Sequence, residues 1–151
     1  MLSGVFDGRG MAKSQQKRAT LMYPEHGPSP EDLLHFIETT AFTKAWDELG
    51  LDDEDDLTAL QLAIMRAPEG APVVQGTGGL RKLRFAPAKW NTGARGATRV
   101  CYAHFGDYGI VLLVYVYDKR QQDNLVDAEK KVIRAYIDRT KAELDRRKTI
   151  R

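Results

Sequence analysis

Between Gly76 and Tyr102 the chain reads GTGGLRKLRFAPAKWNTGARGATRVCY, a stretch with six cationic side chains and no acidic one. The six are Arg81, Lys82, Arg84, Lys89, Arg95 and Arg99. A run of charge is often only a solvated face. Here the charges alternate with apolar residues such as Leu83 and Phe85, a pattern typical of a strand with one buried side. The stretch therefore predicts a rigid cationic surface that suits a polyanion.

Three strands are predicted in and after this stretch, over residues 79–86, 97–105 and 110–117. A loop rich in glycine and proline separates the first two, and the short FGDYG link makes the last two a hairpin. In the last strand, one aliphatic face is expected to carry Ile110, Leu112, Val114 and Val116. Strand alternation places Tyr115, Tyr117 and Lys119 on the opposite face.

The sequence before the cationic stretch predicts a strand and two helices. The apolar run LLHFIE, which ends at Glu38, suits a short strand. Apolar residues then recur at helical spacing up to Gly50, with Thr40 as the cap, and they are Phe42, Ala45, Trp46 and Leu49. The acidic run at residues 52–56 lacks the spacing of a calcium loop and suits the N-terminus of the second helix.

A last helix is predicted after Asp123 or Asn124, either of which can cap it. The order strand, helix, helix, three strands, helix predicts one α+β domain over residues 31–145. In it, two N-terminal helices and a C-terminal helix pack on one face of a mostly antiparallel four-stranded sheet. Residues 1–30 are predicted to be a flexible arm, within which Met11 is a second candidate start, and residues 146–151 a fraying basic tail.

The charge is unevenly distributed along the chain. Residues 31–80 hold 2 basic and 11 acidic residues, a net charge of −9, whereas residues 81–151 hold 17 basic and 8 acidic, a net charge of +9. The basic part suits nucleic acid, and the alternative is charge complementarity within the molecule. Cys101 is the single cysteine, which excludes an internal disulfide and a thiolate-rich zinc site. No signal peptide or membrane span is apparent, so we expect a cytoplasmic protein with no membrane role.

Strand alternation brings charged and aromatic residues from several strands together. If the aliphatic faces lie under the helices, the opposite face carries Lys82, Arg84, Tyr115, Tyr117 and Lys119. Arg99 joins them if Val100 and Tyr102 point inward, which the alternation permits. Such a surface suits phosphates and the stacking of unpaired bases.

This surface has the groups that RNA cleavage needs. RNA supplies its own nucleophile, the 2′-hydroxyl, so the protein must move two protons and stabilise the phosphorane. Lys82, Arg84 and Arg99 are candidates to supply charge, and Tyr117 or Lys119 to move protons. No metal or cofactor is required for this chemistry. The histidines are interpreted as structural or incidental.

Several separated motifs resemble the RelE/HigB toxins of bacterial toxin-antitoxin systems. They are FTKAWDELGL, GTGGLRKLRFA, GARGATRVCY, IVLLVYVYDK and DNLVDAEKKVI, which follow the family pattern in order and spacing from about Leu34 to Leu144. The resemblance implies a small RelE-like fold that cleaves mRNA in the ribosomal A site without a metal. It also implies a protein antitoxin as partner, often one with a helix-turn-helix domain.

Carried over by position, the resemblance implies catalytic roles for Lys82, Arg84, Arg99 and Arg120, with Lys119 beside the last of these. Val126 occupies the position of the family's last-helix tyrosine, so either Tyr117 or Lys119 takes over that role or the role is absent; Tyr117 completes the predicted catalytic set. Arg81, Lys89, Arg95 and Tyr115 are predicted RNA-binding residues. The alternative functions are a non-cleaving inhibitor of the same fold that binds the ribosome, and a DNA-binding regulator. The lack of a helix-turn-helix pattern among the basic residues disfavours the regulator.

Overall fold

A computed structural model describes residues 33–87, 98–120 and 124–150, with side chains up to residue 148. The predicted arm at residues 1–30, together with Lys89 and Arg95, lies outside the described residues. The elements in chain order are β1 (His35–Glu38), α1 (Thr40–Glu48), α2 (Asp55–Arg66), β2 (Arg81–Phe85), β3 (Thr98–Phe105), a 3-10 turn (Gly106–Tyr108), β4 (Ile110–Asp118) and α3 (Asp127–Ile150). The predicted α+β class is confirmed.

The four strands form one mixed sheet in the order β1-β4-β3-β2. β4 pairs in parallel with β1 and antiparallel with β3, and β3 pairs antiparallel with β2. The predicted hairpin of β3 and β4 closes through the 3-10 turn and Gly109, whose φ is +64°. The two central strands are therefore β4 and β3, and β2 forms one edge of the sheet.

The helices cover both faces of the sheet, so the prediction that they share one face is wrong. Phe42 and Trp46 of α1 and Leu60 of α2 pack in one buried cluster with Val100 and Val116. A second buried cluster on the other face joins α3 to the sheet, and it includes Ile133, Tyr136, Ile137, Leu112, Val114 and Tyr117. β4 is apolar on both faces, and a strand of this kind stays out of water only when both faces are covered.

A β-bulge in β4 changes which residues share a face. Cys101 pairs with Tyr115, but Tyr102 pairs with Leu113, so Val114 is the extra residue. Beyond the bulge the alternation is reversed, and Val116 packs on the α1/α2 side while Val114 packs on the α3 side. Ile110, Leu112 and Val114 share the α3 side, so the predicted common face is wrong only in including Val116.

Short-range hydrogen bonds define the starts of α1 and α2. Thr39, rather than the predicted Thr40, caps α1: its hydroxyl accepts from the Phe42 amide at 2.9 Å. Before α2, the Asp52 carboxylate accepts from the Asp55 amide at 2.8 Å, and the Asp56 carboxylate accepts from the Asp52 amide at 2.8 Å. These bonds fix the turn before α2, and Asp55 and Asp56 lie in its first turn, as expected for acidic residues at a helix N-terminus.

The GTGG turn before β2 packs against α3. Gly78 has a φ of +75°, and a Cβ at this position would lie 3.3 Å from Cγ of Arg134. The Thr77 hydroxyl accepts from the Leu80 amide at 3.0 Å and donates to the Val74 carbonyl at 2.6 Å, which fixes the turn. The glycines are thus explained by turn geometry and by close approach to a helix.

The last helix extends through the segment predicted to fray. α3 runs to Ile150, which places residues 146–150 in the helix. Intrahelical ion pairs support this end, with Arg146 and Arg147 both bonded to Glu143. Within the ranges that the structure describes, no helix has both the length and the apolar character needed to cross a membrane.

Candidate functional site

A groove of about 730 Å³ lies along the β2 edge of the sheet, against the end of α2. Part of its lining is small or apolar and consists of Ala63, Ala67, Gly70, Ala71, Pro72 and Leu83. The rest of the lining is Lys82, Arg84, Arg99, Lys119 and Asn124. Among the described residues that line the groove, four are cations and none carries a carboxylate. The groove therefore has the electrostatics of an anion site.

The cations on β2 reach the groove because the strand alternates. Lys82 and Arg84 are separated by Leu83, which packs toward the α1/α2 core. The Lys82 amide donates to the Pro72 carbonyl at 3.0 Å, so the segment after α2 covers part of this sheet edge. The sequence prediction that Lys82 and Arg84 share a side agrees with this arrangement.

Arg99 lies in the middle of the cationic cluster. It pairs with Arg84 across β2 and β3, and with Tyr117 across β3 and β4. Its side chain is only 5% exposed, and its guanidinium donates to the Thr98 carbonyl at 3.3 Å. Like charges directly opposite one another on paired strands repel. An anion bound between Arg84 and Arg99 would offset that repulsion.

Lys82 has two neighbours that affect its role. Its ammonium donates to Oδ1 of Asn124 at 3.3 Å. Its partner across β2 and β3, Cys101, is fully buried, and burial raises the pKa of the Cys101 thiol to about 12, although the Lys82 charge acts in the opposite direction. A thiol with so high a pKa stays protonated at neutral pH and is a poor nucleophile.

Lys119, one residue beyond β4, is exposed and lines the groove. The two tyrosines predicted beside it are placed differently. Tyr117 is 4% exposed and packs in the α3-side cluster, and Tyr115 is partly buried against the same cluster and stacks on Tyr117 with ring centroids 6.1 Å apart. Burial raises the pKa of Tyr115. The register places Arg99, Tyr115 and Tyr117 on the same face as Lys82 and Arg84, as predicted. The prediction that no helix covers this face is wrong, because α3 packs on it.

Arg120 lies beside the groove-lining Lys119 but is held by a carboxylate. Its guanidinium donates to the buried Asp118 side chain at 2.7 Å through Nη2, and its backbone amide donates to the same side chain at 2.8 Å. The Arg120 hydrogen bond holds the pKa of Asp118 below its usual value. Arg120 is itself exposed, and it is not among the residues that line the groove.

Arg81 has a structural contact in this fold. It donates to the backbone carbonyls of Glu69 and Ala71 at 2.9 and 2.7 Å, which ties the segment after α2 to β2. Of the two described histidines, His104 contacts Glu69 at 3.0 Å and His35 lies on β1. Neither lines the groove.

Asn124 is the groove residue whose role sequence reasoning missed. The sequence indicated it only as a candidate helix cap. Its contact with Lys82 joins residues 42 positions apart, and no local pattern marks such a pair.

No model of a known protein family matches the chain. The RelE/HigB assignment therefore rests on the motifs of the sequence itself and stays a proposal. What the structure adds is the groove. It brings together Lys82 and Arg84 of β2, Arg99 of β3 and Lys119, the residue that follows β4.

Proposed function

We propose that this protein is a RelE/HigB-type toxin that inhibits translation by cleaving mRNA in the ribosomal A site. One observation carries the proposal: a groove with four cations and no carboxylate among its described lining residues. RNA is a polyanion whose single-stranded form fits an open cationic groove. The order and spacing of the sequence motifs supply the reaction class.

The proposed reaction uses the nucleophile that RNA already carries. The 2′-hydroxyl loses its proton and attacks the adjacent phosphorus, while the bond to the 5′-oxygen of the next nucleotide breaks and that oxygen gains a proton. The products are a 2′,3′-cyclic phosphate and a 5′-hydroxyl. The protein must therefore stabilise negative charge on the phosphorane and move protons, and this proposal assigns no step to a metal.

The groove suggests how these tasks are divided. Lys82, Arg84 and Arg99 present charge from neighbouring strands and would bind the scissile phosphate. Lys119 and Tyr117 are the two predicted proton-transfer groups. Only Lys119 is among the described residues that line the groove, because Tyr117 is buried under α3. Arg120 is paired with Asp118 and does not line the groove, so its catalytic role stays a prediction of the resemblance.

The wider assignment follows from the same proposal. A toxin of this kind acts in the cytoplasm on mRNA held by the ribosome. Its partner is a cognate antitoxin protein, which typically contains a helix-turn-helix domain. The sequence resemblance supports both statements.

A second candidate is a non-cleaving inhibitor of the same fold that occupies the ribosome. One observation favours it: the described groove lining contains lysine, arginine and asparagine but no histidine or carboxylate. Lysine and arginine are protonated at neutral pH unless strongly perturbed, so they are weak general bases. Such a site binds RNA more readily than it cuts it.

Mapping of mRNA 5′ ends in a reconstituted translation reaction separates the two candidates. The enzyme is expected to produce new 5′-hydroxyl ends within the A-site codon. Stalled but intact mRNA would favour the non-cleaving inhibitor. Translation that proceeds normally in the presence of the protein would refute both.

A further inference from the structure

We infer that Asn124 is a positioning residue that orients the Lys82 ammonium toward a phosphate in the groove while leaving its charge available. The inference rests on the proposed RNA-binding function of the groove. Both residues line it, and Lys82 Nζ donates to Asn124 Oδ1 at 3.3 Å. Lys82 comes from β2, whereas Asn124 comes from the segment that leads into α3.

An uncharged acceptor suits this purpose. A lysine ammonium has three donors on a flexible stem, and the single amide oxygen of Asn124 takes one of them. The remaining donors and the full positive charge stay available for a ligand. Holding the side chain in advance reduces the conformational entropy that binding would otherwise cost.

Several exposed cations outside the groove are paired with carboxylates. Arg120 is bonded to Asp118, and α3 contains the pairs Arg134–Asp138 and Lys141–Asp145. A carboxylate at position 124 would hold Lys82 at least as firmly, but it would offset the charge that attracts RNA. An amide beside Lys82, in place of a carboxylate, therefore suits a phosphate site.

Binding of a fluorescently labelled single-stranded RNA, measured by anisotropy over a range of salt concentrations, tests this role. Asn124→Ala is expected to weaken binding about threefold, through lost pre-orientation, with the salt dependence unchanged. Asn124→Asp is expected to weaken binding about tenfold and to reduce the slope of log affinity against log salt by about 0.7, as Lys82→Gln does, because one phosphate contact is lost.

Two controls separate positioning from mere structural support. Gln75→Glu introduces the same charge at an exposed residue outside the groove lining and is expected to leave RNA binding unchanged. The double variant Asn124→Asp/Lys82→Gln is expected to bind no more weakly than Lys82→Gln alone, since both changes remove the same contact. Thermal denaturation of each variant verifies that it is folded.

The outcomes are distinct for this inference and for the proposed function. If Lys82 makes no contact with RNA and its bond to Asn124 only anchors the segment before α3, Asn124→Asp and Lys82→Gln both bind RNA with the wild-type slope, which overturns the inference. A wild-type protein that binds no RNA overturns it as well. If the wild-type protein binds RNA but leaves mRNA intact in the translation reaction, the cleavage proposal is refuted. The role of Asn124 is then still decided by the salt slopes of the Asn124 and Lys82 variants.

Discussion

Replacing Arg84 with Gln removes one groove cation with little cost to the fold, because Arg84 is exposed on the edge strand. Binding to single-stranded RNA weakens with salt with a slope of about −0.7 for each phosphate neutralised. With four groove cations engaged, the wild-type slope is expected to be about −2.8 (4 × 0.7). The variant, with three, is expected to show about −2.1.

These slopes translate into affinities that are easily measured. From 50 to 200 mM salt, the wild type is expected to lose about 50-fold in affinity and Arg84→Gln about 18-fold. Fluorescence anisotropy with a short labelled RNA measures both. The free energy of unfolding is expected to change by no more than about 0.5 kcal/mol, as for most surface substitutions.

Lys44→Gln is the matched control for this experiment. Lys44 is an exposed cation on α1 and does not line the groove. Its replacement lowers the net charge by the same amount and is expected to leave the slope at the wild-type value. The reasoning would be refuted by equal slopes for wild type and Arg84→Gln, or by an equal effect of Lys44→Gln.

Three further predictions concern the site and its supports. Arg99→Gln is expected to abolish growth inhibition and, because Arg99 is buried, to lower the free energy of unfolding by about 1–3 kcal/mol; a variant that still arrests growth contradicts the site. Gly78→Ala and Gly50→Ala each place a side chain at nearly the same positive φ, which costs about 1–2 kcal/mol. Of these two glycines, only Gly78 has a close neighbour, so denaturant melts are expected to show a larger loss of unfolding free energy for Gly78→Ala than for Gly50→Ala. Equal losses would contradict the close approach of the GTGG turn to α3. Asp118, whose pKa is lowered by Arg120, contributes stability that is present above its unfolded pKa near 3.8 and is lost as pH falls through the folded value. In Asp118→Asn, the unfolding free energy is expected to lose this dependence on pH below about pH 4, as thermal melts would measure. If the variant loses stability with falling pH just as the wild type does, the Asp118–Arg120 pair is not the source of that dependence.

The local pattern on β2 was sufficient to predict part of the groove. Lys82 and Arg84 alternate with Leu83 and Phe85, and in the structure Phe85 is buried while Arg84 is exposed. Alternation of this kind is a property of the strand backbone alone. It therefore survives whatever packs on the sheet.

The same reasoning was wrong for β4, where the pattern is ambiguous. The segment Ile110–Tyr117 is apolar at almost every position, so no polar residue indicates which side faces water. The bulge at Val114 then reverses the alternation, and nothing in the local sequence marks it. The burial of Tyr117 follows from this reversal together with the position of α3.

What the sequence by itself determined is the set of strands and helices, the α+β order and the fact that Lys82 and Arg84 share one side of β2. These depend on periodicity and capping over a few residues, which the chain expresses locally. Tertiary structure decided that α3 covers the second face of the sheet, that Tyr117 is buried and that Asn124 meets Lys82. Each of these results depends on contacts between distant segments. Because β4 is apolar on both faces, its own sequence does not indicate which helix covers which face, and only tertiary packing decides it.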